Sequence, residues 1–320
     1  MTPPFGLPAI ANNVFSAPLA GYTDLPYRTI VREYGCAVCW SELIMARGLL
    51  ERNTKTFDLL STDPADHPLV VQLGGSEPDI IAQAAVISKD HGADAIDINC
   101  GCPAPKMVKR GYGAGLMKDA TRVGEIVGKV KQAVSIPVYV KIRAGFYPSV
   151  PTAVDVALSA QNAGAEAVTV HGRFREDYFR GVSDWQVIAQ VKNALSIPVI
   201  GNGDIHSFSD AQRMIETTAC DAVMVGRASL GKPWIFRNII NRIDTEPSVD
   251  EWIAVIERHA RLLFSFYGEK TGCVKLRSIL CNYTKGIPHI RELRPSIIQI
   301  TTPDDYRRIM DQIIARVNIN

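Results

Sequence analysis

Cys102 is the residue whose surroundings point most directly to chemistry. It lies in Asp94-Ala95-Ile96-Asp97-Ile98-Asn99-Cys100-Gly101-Cys102-Pro103, where a short apolar run fit for a buried strand passes into a loop punctuated by glycine and proline. Gly101 lets the backbone turn, Pro103 fixes the direction of exit, and Asn99 brings an amide to the strand end. A cysteine outside any motif is most often one more small buried hydrophobe. This one is presented on a loop at the carboxyl end of a strand.

Other residues of chemical interest fall at similar places. Gly201-Asn202-Gly203-Asp204 and Val225-Gly226-Arg227 each end an apolar run, and glycine lets backbone N–H groups approach a phosphate while Arg227 supplies charge. Together they favour a phosphorylated cofactor. Lys141 ends another run; a buried ammonium needs negative charge nearby, which a reduced flavin provides, and the competing reading is a Schiff-base lysine of an aldolase, which the phosphate loops alone would tolerate. Gln72 and Asn99 offer donors and acceptors to a flavin or pyrimidine edge. His171-Gly172-Arg173 can clamp a phosphate of cofactor or substrate. Cys36 and Cys39 have metal-knuckle spacing, but a second ligand pair is lacking, so no metal is expected and buried strand cysteines are the simpler reading.

Eight short apolar runs position these groups: residues 15–20, 37–42, 69–73, 94–99, 137–142, 165–171, 197–202 and 221–226, each followed by a longer helical pattern. That is the sequence form of an α/β protein of the (β/α)8 TIM-barrel class. Internal repetition agrees: Val130-Lys131-Gln132-Ala133-Val134-Ser135-Ile136-Pro137-Val138 returns as Val191-Lys192-Asn193-Ala194-Leu195-Ser196-Ile197-Pro198-Val199. A doubly wound sheet would want Gly-x-Gly-x-x-Gly after its first strand, and Ala17-Pro18-Leu19-Ala20-Gly21 is not one. In a barrel the carboxyl ends of the strands carry the site, here Pro18, Leu19, Ala20, Glu42, Gln72, Asn99 with Cys102, Lys141 with Arg143, His171 with Arg173, Asn202 with Gly203 and Asp204, and Gly226 with Arg227. The glycine-rich run 110–116 reads as a flexible loop that closes beside Cys102, its rim made basic by Lys106, Lys109 and Arg110.

Beyond about residue 240 the strand pattern stops. Helical spacing covers 250–267, 274–283 and 304–317, so residues 1–240 are expected to form the barrel and 241–320 a small all-helical C-terminal domain. The 320 residues are 47% hydrophobic with a formal charge of +2, which excludes extensive disorder and any global nucleic-acid signal. No basic segment followed by an apolar core opens the chain, and no apolar run approaches the ~18 residues of a membrane span. A cytoplasmic monomer with no membrane partner is expected, and seven scattered cysteines suit a reducing compartment.

The motifs Ala17-Pro18-Leu19-Ala20-Gly21-Tyr22-Thr23-Asp24, Asn99-Cys100-Gly101-Cys102-Pro103, Val140-Lys141-Ile142-Arg143, His171-Gly172-Arg173, Asn202-Gly203-Asp204 and Gly226-Arg227 occur in this order over nearly the whole barrel. In them the chain resembles the tRNA-dihydrouridine synthases, and Gly231-Lys232-Pro233-Trp234-Ile235-Phe236-Arg237 is most like the bacterial DusB branch. The resemblance implies that FMN is held by Pro18, Leu19, Ala20, Gln72, Lys141, Asn202, Gly203, Asp204, Gly226 and Arg227, with His171 nearby. It further implies that Asn99 orients the uracil, that NADPH reduces the flavin, and that Cys102 protonates the pyrimidine carbon next to the one receiving hydride. Phe174 stands where the family usually has threonine, which unsettles the placement of RNA around residues 174–180.

A tRNA partner also asks for basic surface. Lys106, Arg143 and Arg173 on the barrel, and Lys275 and Arg277 in a tail stretch with interleaved Phe264, Phe266, Tyr267 and Tyr283, are the expected contacts. A small-molecule flavin oxidoreductase of the dihydroorotate type is the alternative, with no need for such a tail. An RNA-binding module using the barrel as scaffold is a third reading, and the full set of polar strand ends argues against it.

Overall fold

The computed structural model describes residues 4–8, 10–287 and 290–317. The strands are β1 (Val14–Ser16), β2 (Cys39–Met45), β3 (Leu69–Gly74), β4 (Ala95–Asn99), β5 (Val138–Tyr147), β6 (Val150–Pro151), β7 (Ala167–Phe174), β8 (Val199–Asn202) and β9 (Ala222–Val225). All but β6 run parallel in the order β1-β9-β8-β7-β5-β4-β3-β2, while the two-residue β6 folds back antiparallel on the end of β5. The first and last strands of that order meet: Ala37 N–H donates to Val14 O at 3.1 Å and Ser16 N–H to Val38 O at 3.0 Å. The sheet therefore closes, and the eight-unit barrel expected from the apolar runs is what the chain forms.

Side chains alternate across each strand, and the two faces differ in kind. Outward residues such as Val71, Ile96, Ile98, Val140, Val168 and Val223 pack under the surrounding helices in one large core. Inward residues step along each strand from apolar to polar: Val70 to Gln72, Ala95 through Asp97 to Asn99, Tyr139 through Lys141 to Arg143, and Ile200 to Asn202. The lower interior is filled by Phe15, Trp40, Val70, Ala95, Tyr139, Ala167 and Met224. Phe5 and Leu7 plug that end, with the Tyr139 hydroxyl donating to Phe5 O at 2.6 Å. With the amino end sealed by apolar groups, the carboxyl end is left as the place for chemistry.

The C-terminal part is helical, as expected. Ser248 caps the first helix by accepting the Glu251 N–H, and helix Val249–Tyr283 runs through both stretches that the spacing separates. It breaks at Gly268, whose φ of 74° and ψ of 163° leave the helical region. Helix Pro303–Val317 packs back on it around Ile256, Leu263, Leu276, Leu280, Ile297 and Ile313. Ile30 and Trp234 of the barrel belong to this same core, so the tail is docked by apolar contact and not merely tethered. Arg258 adds an ion pair to Glu33 at 2.9 Å.

Candidate active site

A cavity of about 520 Å³ opens at the carboxyl end of the barrel, large enough for a cofactor of nucleotide size. Every residue expected to hold the cofactor lines it: Pro18, Leu19, Ala20, Gln72, Lys141, His171, Asn202, Gly203, Asp204, Gly226 and Arg227. Cys102, Asn99, Arg143 and Arg173 line the same space. Residues scattered over more than two hundred positions thus converge because each ends a parallel strand.

The polar floor is cross-braced. Lys141 Nζ donates to Asn202 Oδ1 at 2.8 Å, and Asn202 Nδ2 donates to Met224 O at 2.8 Å. Burial drives the Lys141 ammonium downward from its ordinary pKa, opposed by the charge of Asp97. The same burial raises the Asp97 carboxyl, opposed by its hydrogen bond from Gln72 and by Lys141. Each buried ion is tolerable because the other is there.

His171 sits among cations. Burial, then Lys141, Arg143, Arg173 and Arg227, hold its pKa well below the ordinary value, so the ring is neutral. Arg173 Nη1 lies 3.3 Å from its Nε2. A guanidinium only donates, so Nε2 accepts and the proton is on Nδ1. Arg173 also pairs with Asp204 at 2.8 Å. Burial raises the Asp204 carboxyl, but the Ser183 N–H and Arg173 outweigh it and the net shift is downward. Gly203, between Asn202 and Asp204, has φ of +117°, and a Cβ there would lie 2.4 Å from Ser183 Oγ, so only glycine fits this turn. The cavity wall is strongly electropositive, with Asp204 already committed to Arg173.

The Cys102 loop is held from several sides. Asn99 Oδ1 accepts the Cys102 N–H at 3.0 Å and the Gly101 N–H at 3.3 Å. Arg143 Nε donates to Gly101 O at 2.7 Å, while its Nη1 donates to Phe174 O and Tyr178 O, both at 3.0 Å. Arg143 is therefore an internal strut that also presents charge to the cavity. The glycine-rich run is not the flexible closing loop expected. Residues Gly113–Lys118 form a 3-10 turn with Ala114, Leu116 and Met117 buried, and Ala114 N–H donates to Cys102 O at 3.0 Å. A Cβ on Gly113 would come within 2.9 Å of Cys102 Cβ, so the glycines allow close packing behind the thiol.

The expected RNA contacts divide. Lys106 is exposed on helix Pro105–Val108 and does not reach the cavity. Lys275 and Arg277 are turned inward, contrary to expectation: Lys275 Nζ pairs with Asp24 at 3.2 Å, and Arg277 Nε donates to Ile300 O at 2.7 Å. The tail aromatics are also spent internally, since Tyr283 is buried, Phe264 packs on Tyr306 and the Tyr267 hydroxyl donates to Asp24 at 2.9 Å. Helix packing decides which cations face out, and charge density along the chain does not carry that information. Among the described residues of the tail, Arg242, Arg261, Lys270, Lys285, Arg291, Arg294, Arg307 and Arg308 are the exposed cations.

Two features at or beneath the cavity have little signal in the sequence. Phe179 is 51% exposed at the cavity mouth, its ring 4.8 Å from the Arg227 guanidinium and 5.5 Å from that of Arg143. Asp97 is fully buried beneath Gln72, and its one visible sign is a carboxylate at an inward position of an apolar strand. Cys36 and Cys39 are buried with their sulfurs 3.7 Å apart.

The fold and site together define a (β/α)8 protein with an electropositive mouth beside a loop thiol. The dihydrouridine synthase family profile matches residues 15–318, and the chain belongs to this family. It is 37% identical over 306 residues to the tRNA-dihydrouridine synthase B of Pseudomonas aeruginosa, covering 94% of this chain and 91% of that one. A probable tRNA-dihydrouridine synthase of Rickettsia bellii is 36% identical over 300 residues, covering 92% of each chain. Among solved structures, histamine dehydrogenase from Rhizobium sp. 4-9 superposes with a TM-score of 0.55 at 15% identity, covering 81% of this chain and half (50%) of that one. That likeness shows the fold alone. No described helix is long and apolar enough to cross a membrane.

Proposed function

We propose that this protein is a flavin-dependent oxidoreductase that reduces uridine in tRNA to dihydrouridine, with FMN in the barrel mouth, NADPH as reductant and Cys102 as the proton donor. The observation that carries the reading is that Cys102 lines the same cavity as Lys141, His171, Asn202 and Arg227. A thiol and a cationic cofactor cradle are then within reach of one bound pyrimidine.

The residues present fit the cofactor. The turns at Gly203 and Gly226, with Arg227, offer N–H groups and charge to a phosphate, and Lys141 meets negative charge on a reduced ring. Neutral His171 offers a fixed Nδ1–H donor. Bound here, FMN supplies the hydride, and NADPH replenishes it. Cys102 Sγ gives its proton to the other carbon of the pyrimidine double bond, and the thiolate left behind takes a proton from solvent. The amides of Gln72 and Asn99 border the place where the base edge is read.

A uridine in folded tRNA must leave its stack, at a cost of a few kcal/mol that protein contacts offset. Residues 241–320 serve that role with the exposed Lys270, Lys285, Arg291 and Arg294, joined by Lys106, Lys109 and Arg110 on the barrel rim. We read the protein as a monomer acting in the cytoplasm on tRNA.

The test is direct. The purified protein is expected to be yellow, to retain FMN, and to form dihydrouridine in unmodified tRNA when NADPH is supplied. Turnover of free uracil or orotate at rates matching tRNA would instead favour a small-molecule reductase.

A further inference from the structure

The residues assigned above leave a carboxylate in the barrel interior, Asp97, with no part in binding or chemistry. Asp97 lies inside the barrel, on the inward face of β4 two residues before Asn99, and is fully buried. Its Oδ2 accepts from Gln72 Nε2 at 2.7 Å and from Trp40 Nε1 at 3.1 Å, while Oδ1 has no hydrogen-bond partner. An apolar residue would fill this place without the cost of burying a charge.

The bonds continue upward in one direction. Gln72 Oε1 accepts from Asn99 Nδ2 at 2.7 Å, and Asn99 Oδ1 accepts the N–H of Cys102 at 3.0 Å. Trp40 Nε1–H can only donate, so Oδ2 is an acceptor whether or not Oδ1 carries a proton, and Gln72 must turn its NH2 down and its carbonyl up. Asn99 must then turn its NH2 toward Gln72 and its carbonyl toward the Cys102 loop. Reversing either amide would set like groups against each other at 2.7 Å.

We propose that Asp97 is a positioning residue for Cys102, fixing the Gln72 and Asn99 amides so that the backbone of the thiol-bearing loop is held from below. This rests on Cys102 being the functional thiol, but the relay can be read without any activity. Asp97→Asn keeps the relay, because its amide oxygen can accept both donors while its NH2 takes the place of the unpartnered oxygen. Asp97→Leu breaks it at its base, because the Gln72 NH2 is then buried with no acceptor and its carbonyl is no longer anchored beneath Asn99.

The experiment is amide hydrogen exchange at Gly101 and Cys102 in the purified full-length protein. Asp97→Leu is expected to speed exchange at Cys102 at least tenfold, with Asp97→Asn within threefold of the parent and the amide of Val223, across the barrel, unchanged in both. Should Asp97→Leu fail to fold, Gln72→Met interrupts the relay one link higher and carries the same expectation. A folded variant lacking the relay with unchanged exchange at Cys102 overturns the proposal, and so does Asp97→Asn exchanging as fast as Asp97→Leu. Single-turnover reduction of tRNA by the same proteins separates the two readings: if exchange responds as stated but the parent protein never reduces tRNA, the activity assignment falls and the relay stands.

Discussion

The barrel mouth and the helical tail both gather cations, and they use them differently. At the mouth, Lys141, Arg143 and Arg173 are buried, each hydrogen-bonded in place, and all three still line an open cavity. In the tail, Lys275 and Arg277 point at the protein, while the exposed cations either meet a surface carboxylate, as Arg261, Arg307 and Arg308 do, or face solvent, as Lys270 and Lys285 do. A strand end of a closed barrel has one inward direction, so a charge placed there meets whatever occupies the mouth. A helix face has no such constraint, and a charge on it serves docking as readily as ligand binding.

This contrast is broken most severely at Lys141. Lys141→Met is expected to lower FMN affinity by about 30-fold or more, the ~2–3 kcal/mol of a hydrogen bond to a charged group, read by flavin fluorescence on titration. Lys275→Met should leave flavin affinity within about twofold, yet lower the melting temperature by several degrees, because the buried carboxylate of Asp24 loses its cation. If Lys275→Met loses flavin as fully as Lys141→Met, the division between the regions is wrong.

Acid should load the tail core through its own buried histidine, as it loads the mouth through His171. His259, in the tail core with its Nδ1 3.2 Å from the Tyr283 hydroxyl, is lowered by burial to about 4, partly offset by Asp24. The unfolded chain binds this proton below about 6.5 and the folded chain does not, so stability falls as pH drops from about 6.5 to about 4. The full loss is of order 3 kcal/mol, since each tenfold change in proton affinity is worth ~1.4 kcal/mol. Thermal melts at pH 7 and pH 4.5 should show a smaller drop for His259→Gln than for the parent.

The strand ends are legible in the sequence because period-two alternation in a parallel sheet leaves little choice. Once Leu69, Ala95 and Val138 are placed in neighbouring strands, Gln72, Asn99 and Lys141 have to emerge at one end. Asp97 does not stand out, because one carboxylate in an alternating strand looks like a solvent-facing residue until the sheet closes. Phe179 belongs to a loop with no periodicity to place it. The glycines at 111, 113 and 115 signal freedom but serve close packing, since Gly113 sits against Cys102. Charge density misplaces Lys275 and Arg277 because their partners, Asp24 and the Ile300 carbonyl, are distant in sequence and meet them only once the helices pack.

The smallest expected effect sharpens the tail's role. Lys270→Ala with Lys285→Ala should weaken tRNA binding several-fold at physiological salt and reduce the slope of log affinity against log salt by about 1–2. Lys275→Met should leave that slope unchanged. Equal loss of slope in both proteins would mean that Lys275 leaves Asp24 to meet RNA.

The central claim is that the thiol of Cys102 and the cofactor cradle act on one pyrimidine. Dihydrouridine mapped in unmodified tRNA after incubation with NADPH and the Cys102→Ala protein tests it most directly. The account predicts a protein that keeps its FMN and its affinity for tRNA but forms dihydrouridine at least about a hundredfold more slowly, the contribution of a positioned general acid. Formation at the parent rate by the flavin-loaded variant would contradict it.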